Sequence, residues 1–261
     1  MEDKQRILHS RFGFKNFTPG QQEVIDYLLS GRSALAVFPT GGGKSLCYQL
    51  PALIFNGLTL VISPLIALMK DQIDFLKQKG ILADRLNSTM EPGEINEVMT
   101  RLRHGQLRLL YVAPERFINE RFFEAIQQAR IDLFAVDEAH CISEWGHNFR
   151  PDYLKLAKIA RDLGITKILA LTATATPAVV HDICVGFGIS PECAVQTGFY
   201  RSNLVIKTTA VFTEDRDEVL LRSLHRGTIE PSIVYVTRQK TAEDIAEMLS
   251  NQNIPVRQYC H

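Results

Sequence analysis

The feature that most restricts the fold of this chain is an alternation. Short apolar runs at 34–38, 59–62, 108–112, 132–136 and 167–171 are separated by longer amphipathic stretches at 65–78, 93–104, 119–129 and 151–163. The short runs are nearly continuously apolar, as strands covered on both faces should be, and the longer ones space their apolar residues as helices do. Strand, helix, strand in repetition implies right-handed crossovers and an α/β fold built on a doubly wound parallel sheet. Residues 45–69 carry no charge, yet Gln49, Pro51, Asn56, Gly57 and Pro64 break them into pieces shorter than the roughly 20 apolar residues of a membrane span.

With 46% hydrophobic and 22% charged residues, 261 residues can bury a sizeable core, which excludes wholesale disorder. The 29 basic and 29 acidic residues cancel, so any binding of nucleic acid must come from local patches. Cys47, Cys141, Cys184, Cys193 and Cys260 form no C-x-x-C pair, which predicts a reducing, cytoplasmic setting with neither disulfide framework nor zinc site. The mixed charges of residues 1–6 stand where a secretory signal has its apolar core.

The alternation lapses around 198–213, which sets a domain boundary between 1–203 and 204–261. Beyond it the sequence predicts an extended run at 204–207, a helix at 214–225, a buried strand at 232–236 and a helix at 241–250. So few elements cannot close a full core, and the expectation is a truncated second α/β domain.

Directly after the first strand comes Thr40-Gly41-Gly42-Gly43-Lys44-Ser45, followed by a helix signal from Leu46. Glycines let backbone N–H groups turn inward and a helix N-terminus adds partial positive charge, so the segment reads as a phosphate cradle. Lys44 is placed to reach the β/γ-phosphates and the Ser45 hydroxyl to ligate Mg²⁺. The usual pattern has a further glycine where this chain has Phe38. The fourth apolar run delivers Asp137-Glu138-Ala139-His140 at its C-terminal end, the edge at which open parallel sheets bind ligands. Asp137 can hold the metal while Glu138 orients and deprotonates a water, which together implies ATP hydrolysis by in-line attack on the γ-phosphate.

These segments, with residues 63–72, 111–116 and 171–175, resemble the RecQ family of DEAH-type superfamily 2 DNA helicases. The resemblance spans essentially the whole chain. It implies a RecA-like first motor lobe, a truncated second RecA-like lobe, ATP and Mg²⁺ as cofactors, and single-stranded or partly duplex DNA as partner, with a complementing C-terminal half. Residues 141–153 are similar to the family's aromatic-rich DNA-sensing loop. Trp145 and Phe149 offer faces for base stacking, worth roughly 1–3 kcal/mol per base, and Arg150 a phosphate or cation–π contact, with His147 between them. A core position is the alternative for the single tryptophan.

By the same likeness Phe14 stacks on adenine and the Gln21 amide reads the base edge. Relatives commonly carry Arg where this chain has Thr18, which removes one adenine contact. The resemblance also lays Ser63, Lys70 and Arg116 along the DNA backbone, with a solvated face as the alternative for the two bases. It makes Thr172 and Thr174 a relay between nucleotide and DNA, and His140 a coupling residue near the γ-phosphate. At 237–239 the chain has Thr-Arg-Gln where relatives have Asn-Ser-Arg, leaving Arg238 as a weaker phosphate contact. The motif that supplies an arginine finger is not among these residues, so nucleotide and DNA binding without full unwinding is expected of the fragment. A non-enzymatic nucleotide-gated binding module and an RNA helicase are the alternative readings.

Overall fold

Seven strands, β1 (Ala34–Val37), β2 (Leu58–Ile62), β3 (Ala83–Leu86), β4 (Leu109–Val112), β5 (Ile131–Val136), β6 (Ile168–Thr172) and β7 (Ala194–Gln196), form one parallel sheet in the order β3-β4-β2-β5-β6-β1-β7. The structure is a computed structural model describing residues 4–143, 150–198, 204–224 and 231–258. The chain divides into two units, Met1–Tyr200 and Arg201–His261, and the sheet belongs to the first.

The five strands read from apolar runs are the five inner ones, and β1, β2, β4 and β6 are buried at every position. Helices on both faces produce that burial. They include α1 (Gln21–Leu29), α2 (Leu46–Gln49), α3 (Ile66–Gln78), α4 (Pro92–Arg103), α5 (Glu120–Gln128), α6 (Pro151–Asp162) and α7 (Pro177–Phe187). Each inner strand contributes side chains such as Leu35, Leu60, Leu110, Phe134 and Leu169 to a single core, at about 1.5–3 kcal/mol for each fully buried large apolar residue. Local chemistry fixes the helix starts. Glu91 and Glu94 form a reciprocal capping box on α4, and the Asn119 side chain accepts from the Phe122 N–H at 3.0 Å on α5. Pro92, Pro151 and Pro177 sit in the first turns of their helices, where the missing N–H has no partner to lose. Among the described residues, no helix is long and apolar enough to cross a membrane.

The two edge strands escaped the sequence reading. β3 carries Asp84 and Arg85 at its centre, and β7 is three residues long. The second unit holds a 3₁₀ turn at Thr213–Asp215, then α8 (Arg216–Leu224) and α9 (Gln239–Asn251), where helices were expected. The expected strand at 232–236 is a correction. That run forms no ladder, and Ile233 and Tyr235 are exposed. A strand is a pairing and not a property of one segment, and the described residues of this unit supply no second strand to pair with.

Gly57 leads into β2 where its N–H donates to Asp132 Oδ2 at 2.7 Å, and a Cβ there would lie 2.6 Å from the Arg130 carbonyl oxygen. That neighbour is backbone in the β5 approach and cannot turn aside. Gly57→Ala is therefore expected to lower stability by about 1–3 kcal/mol, read as a reduced urea midpoint with unchanged slope.

Candidate functional site

The sheet register gathers the site. β6 lies between β1 and β5, with Val37 opposite Thr172 and Val136 opposite Ala170. The segments that leave β1, β6 and β5 therefore emerge side by side at one edge, spaced about 4.8 Å per strand. These are the phosphate loop, the 172–174 turn and the 137–140 segment. Backbone bonds continue the ladder into them, from Phe38 N–H to the Thr172 carbonyl (3.1 Å) and from Asp137 N–H to the Ile62 carbonyl (2.8 Å).

The phosphate loop is tightly wound. Gly42 N–H donates to the Pro39 carbonyl at 2.8 Å, and Gly41 and Gly43 take φ of 82° and 71°, which L side chains rarely adopt. At Gly43 a Cβ would collide with the Gln21 amide. Lys44 Nζ folds back onto the Phe38 carbonyl at 3.1 Å. α1 grips the loop from the other side: Gln21 Nε2 donates to the Gly43 carbonyl (2.9 Å) and its Oε1 accepts from the Thr18 N–H (2.8 Å). Thr18 Oγ1 donates to the Gly42 carbonyl at 3.2 Å, so the residue expected only to remove an adenine contact instead holds the loop. Gln21 is buried, and its amide keeps one further N–H and one further lone pair. Phe14 stands half exposed with an open ring face, and Thr40 lies exposed at the loop's entrance.

At the end of β5, burial and the neighbouring Glu138 raise Asp137 to about 6, against the lowering pull of the Glu138 N–H, Lys44 and the Ser63 hydroxyl. Ser63 Oγ donates to Asp137 Oδ2 at 3.4 Å, and Tyr153 of α6 donates to the Asp137 carbonyl at 3.0 Å. Glu138 has φ 51° and ψ 42°, a left-handed backbone that costs a non-glycine residue about 1–2 kcal/mol. Such strain concentrates at functional sites. His140 is buried, with Nδ1 3.0 Å from Thr172 Oγ1 and 3.2 Å from Glu138 Oε2, and Nε2 3.8 Å from Cys141 Sγ. Its hydrogen bonds to Cys141 and Glu138 raise it to about 9 against the effect of burial, so it is an imidazolium at neutral pH. Thr172 Oγ1 donates on to the Thr174 carbonyl at 2.9 Å. Glu138, His140, Thr172 and Thr174 thus form one connected chain from β5 to the turn after β6.

Of the remaining expected residues, Ser63 is buried at the end of β2, Lys70 is exposed on α3 and Arg116 is half-buried after β4. They share the outer half of the same sheet edge. Trp145, His147 and Phe149 lie outside the described residues. Arg150 is exposed, and its N–H donates to the Cys141 carbonyl at 3.0 Å. Sequence reasoning missed the tyrosine beneath Asp137 and the strained backbone of Glu138. A tyrosine at a buried position of α6 is the one signal that pointed to the first, and the second has none.

The donor set suits a nucleotide with a hard divalent ion. Among the described residues no three His, Cys, Asp or Glu side chains cluster as ligands. A single hydroxyl (Ser45) and a single carboxylate (Asp137) match the habit of Mg²⁺, which keeps waters and takes its other ligands from phosphates.

The family model for DEAD/DEAH box helicases matches residues 18–183, and the chain belongs to that family. Within it the chain is similar to the ATP-dependent DNA helicase RecQ of Bacillus subtilis, 44% identical over 98% of this chain and 43% of that protein. It is also similar to the RecQ helicase of Pasteurella multocida, 43% identical over 97% of this chain and 40% of that one. The chain thus spans about two-fifths of the length of these curated relatives. The DUF1998 helicase MrfA superposes with a TM-score of 0.69 at 18% identity, covering 97% of this chain and 41% of MrfA. A hypothetical ATP-dependent RNA helicase from Sulfolobus tokodaii gives 0.59 at 20% identity, over 96% of this chain and 73% of that one. Both likenesses establish the RecA-like helicase fold, and the family resemblance read from the motifs is borne out.

The folded value of Asp137, about 6, lies above its ordinary 3.8, so ionising it opposes folding. The penalty is absent at low pH, grows as pH rises through about 4 to 6 and is complete above. In the nucleotide-free chain Asp137→Asn is expected to raise stability by about 2 kcal/mol near pH 8, with the gain shrinking toward pH 5. Thermal melts across that range measure it.

Proposed function

We propose that this chain is the nucleotide-hydrolysing motor lobe, with part of the second lobe, of a RecQ-type ATP-dependent DNA helicase. The division at 203/204 read from the sequence is part of this proposal. The observation that carries it is the convergence of residues 40–45, 137–140 and 172–174 on one sheet edge, in a chain 44% identical to a RecQ enzyme over nearly its whole length.

On this reading the loop N–H groups and Lys44 bind the β- and γ-phosphates, Phe14 stacks on adenine and Gln21 reads its edge with its remaining N–H and lone pair. Ser45 and Asp137 hold Mg²⁺, which when bound neutralises phosphate charge and fixes the polyphosphate's orientation. Glu138 accepts the proton of the attacking water as its oxygen approaches the γ-phosphorus in line. His140 bridges Glu138 and Thr172, so a displacement of the 172–174 turn reaches the general base. Ser63, Lys70, Arg116 and Arg150 contact the phosphates of single-stranded DNA, with Trp145, His147 and Phe149 meeting its bases. No described residue plays the arginine finger, whose absence costs on the order of 10³–10⁵ in turnover. The fragment therefore binds nucleotide, binds DNA weakly and hydrolyses slowly.

Lys44→Ala is expected to weaken Mg·ATP binding more than about tenfold, a loss of about 1.4 kcal/mol or more, read with a fluorescent ATP analogue. Glu138→Gln is expected to keep that binding while hydrolysis falls by about 10²–10⁴. Hydrolysis is measured with single-stranded DNA and the C-terminal portion of a RecQ relative added in trans. Failure of that portion to raise ATPase favours the nucleotide-gated binding module, and a clear preference for RNA in competition at fixed salt favours the RNA helicase. Unwinding by these 261 residues alone contradicts the proposal.

A further inference from the structure

A second polar chain lies behind the phosphate loop, buried in the core, and the mechanism above does not use it. It starts at Ser45, whose hydroxyl hydrogen-bonds Tyr48 one turn along α2. Tyr111 of β4 donates to the Tyr48 hydroxyl at 3.4 Å, the two rings meeting edge to face with centroids 6.1 Å apart. Gln49, the last residue of α2, reaches the Tyr111 hydroxyl at 3.5 Å and donates to Gln72 Oε1 at 2.7 Å. Gln72 belongs to α3, two residues beyond the exposed Lys70. Tyr48, Gln49 and Tyr111 are each no more than 3% exposed.

Three buried polar side chains are an expensive way to fill space. Leucine and phenylalanine would pack there without desolvating a hydroxyl or an amide. A fully satisfied network has discrete arrangements, because turning one hydroxyl leaves the next group unpaired at about 1–3 kcal/mol. The location is also specific. α3 is mounted on the nucleotide site twice, at its root through Ser63, which donates to Asp137 and accepts from the Leu65 N–H at 3.4 Å, and along its length through Gln72 and Gln49. A ligand that captures the Ser45 hydroxyl withdraws it from Tyr48, and the vacancy passes along the chain to Gln72.

Resting on the function proposed above, we infer that the Ser45–Tyr48–Tyr111–Gln49–Gln72 chain couples nucleotide occupancy to the DNA-facing surface of α3, with Gln49 as its central positioning residue. Gln49, Tyr111 and Gln72 touch neither ligand on this reading. Their loss should therefore spare each affinity and abolish the dependence of one on the other.

The test measures the affinity of the full chain for a fluorescein-labelled oligothymidylate, with and without saturating Mg²⁺ and a non-hydrolysable ATP analogue, and its affinity for the analogue alone. The wild-type chain is expected to change its DNA affinity about fivefold or more when the analogue binds. Tyr111→Phe, which removes one oxygen and keeps the ring packing, and Gln72→Leu should each reduce that factor to about twofold or less while both single-ligand affinities stay within about twofold. Gln49→Leu should behave alike, and the Tyr111→Phe/Gln72→Leu pair should lose no more coupling than either alone, since both cut one series. An unchanged coupling factor in Tyr111→Phe and Gln72→Leu overturns the relay. Absence of coupling in the wild type, with analogue binding still dependent on Lys44, also overturns it and leaves the proposed function standing. Loss of Lys44-dependent analogue binding in the wild type sinks both.

Discussion

The backbone ladder joining β1, β6 and β5 fixes everything of chemical interest in this molecule. With one strand between them, the phosphate loop and the acidic segment leave the sheet about 10 Å apart, two strand spacings. The register that sets Val37 against Thr172 puts the threonine turn in the gap between them. A triphosphate and its ion are objects of that size. A slip of one residue in any of the three strands would turn every side chain to the opposite face of the sheet, and the core packed on both faces forbids it.

Around that frame the polar groups are held by one another rather than by solvent. Asp137 is ringed by Ser63, Tyr153 and the Glu138 N–H, while His140 is shared between Glu138 and Thr172. Such sites are stable only when complete, and they store strain where a single residue must be aimed. Glu138, in a left-handed backbone with no glycine to ease it, is the clearest instance.

Much of this was legible in the sequence, for reasons that particular residues show. The inner strands announced themselves because burial on both faces demands unbroken apolar runs such as Leu58–Ile62, and the phosphate loop because its glycines are consecutive. The edge strand Ala83–Leu86 did not, since one side of it meets water and tolerates Asp84 and Arg85. The run at 232–236 misled for the converse reason: its composition is that of a buried strand, and composition cannot supply a neighbour. Within the site, contacts between residues distant in sequence were invisible. Gln49 meets Gln72, Tyr153 reaches under Asp137, and Thr18 turns from a lost base contact into a clasp on Gly42.

The rung between the Arg150 N–H and the Cys141 carbonyl brings two points nine residues apart in the chain within 3.0 Å. It shuts the intervening stretch off from the strand that carries Asp137 and from the helix that carries Tyr153. Lengthening, shortening or rewriting that stretch leaves both anchors where they are. Divergence among such motors can therefore proceed there as in an exchangeable cartridge, changing what is sensed without disturbing the chemistry that answers.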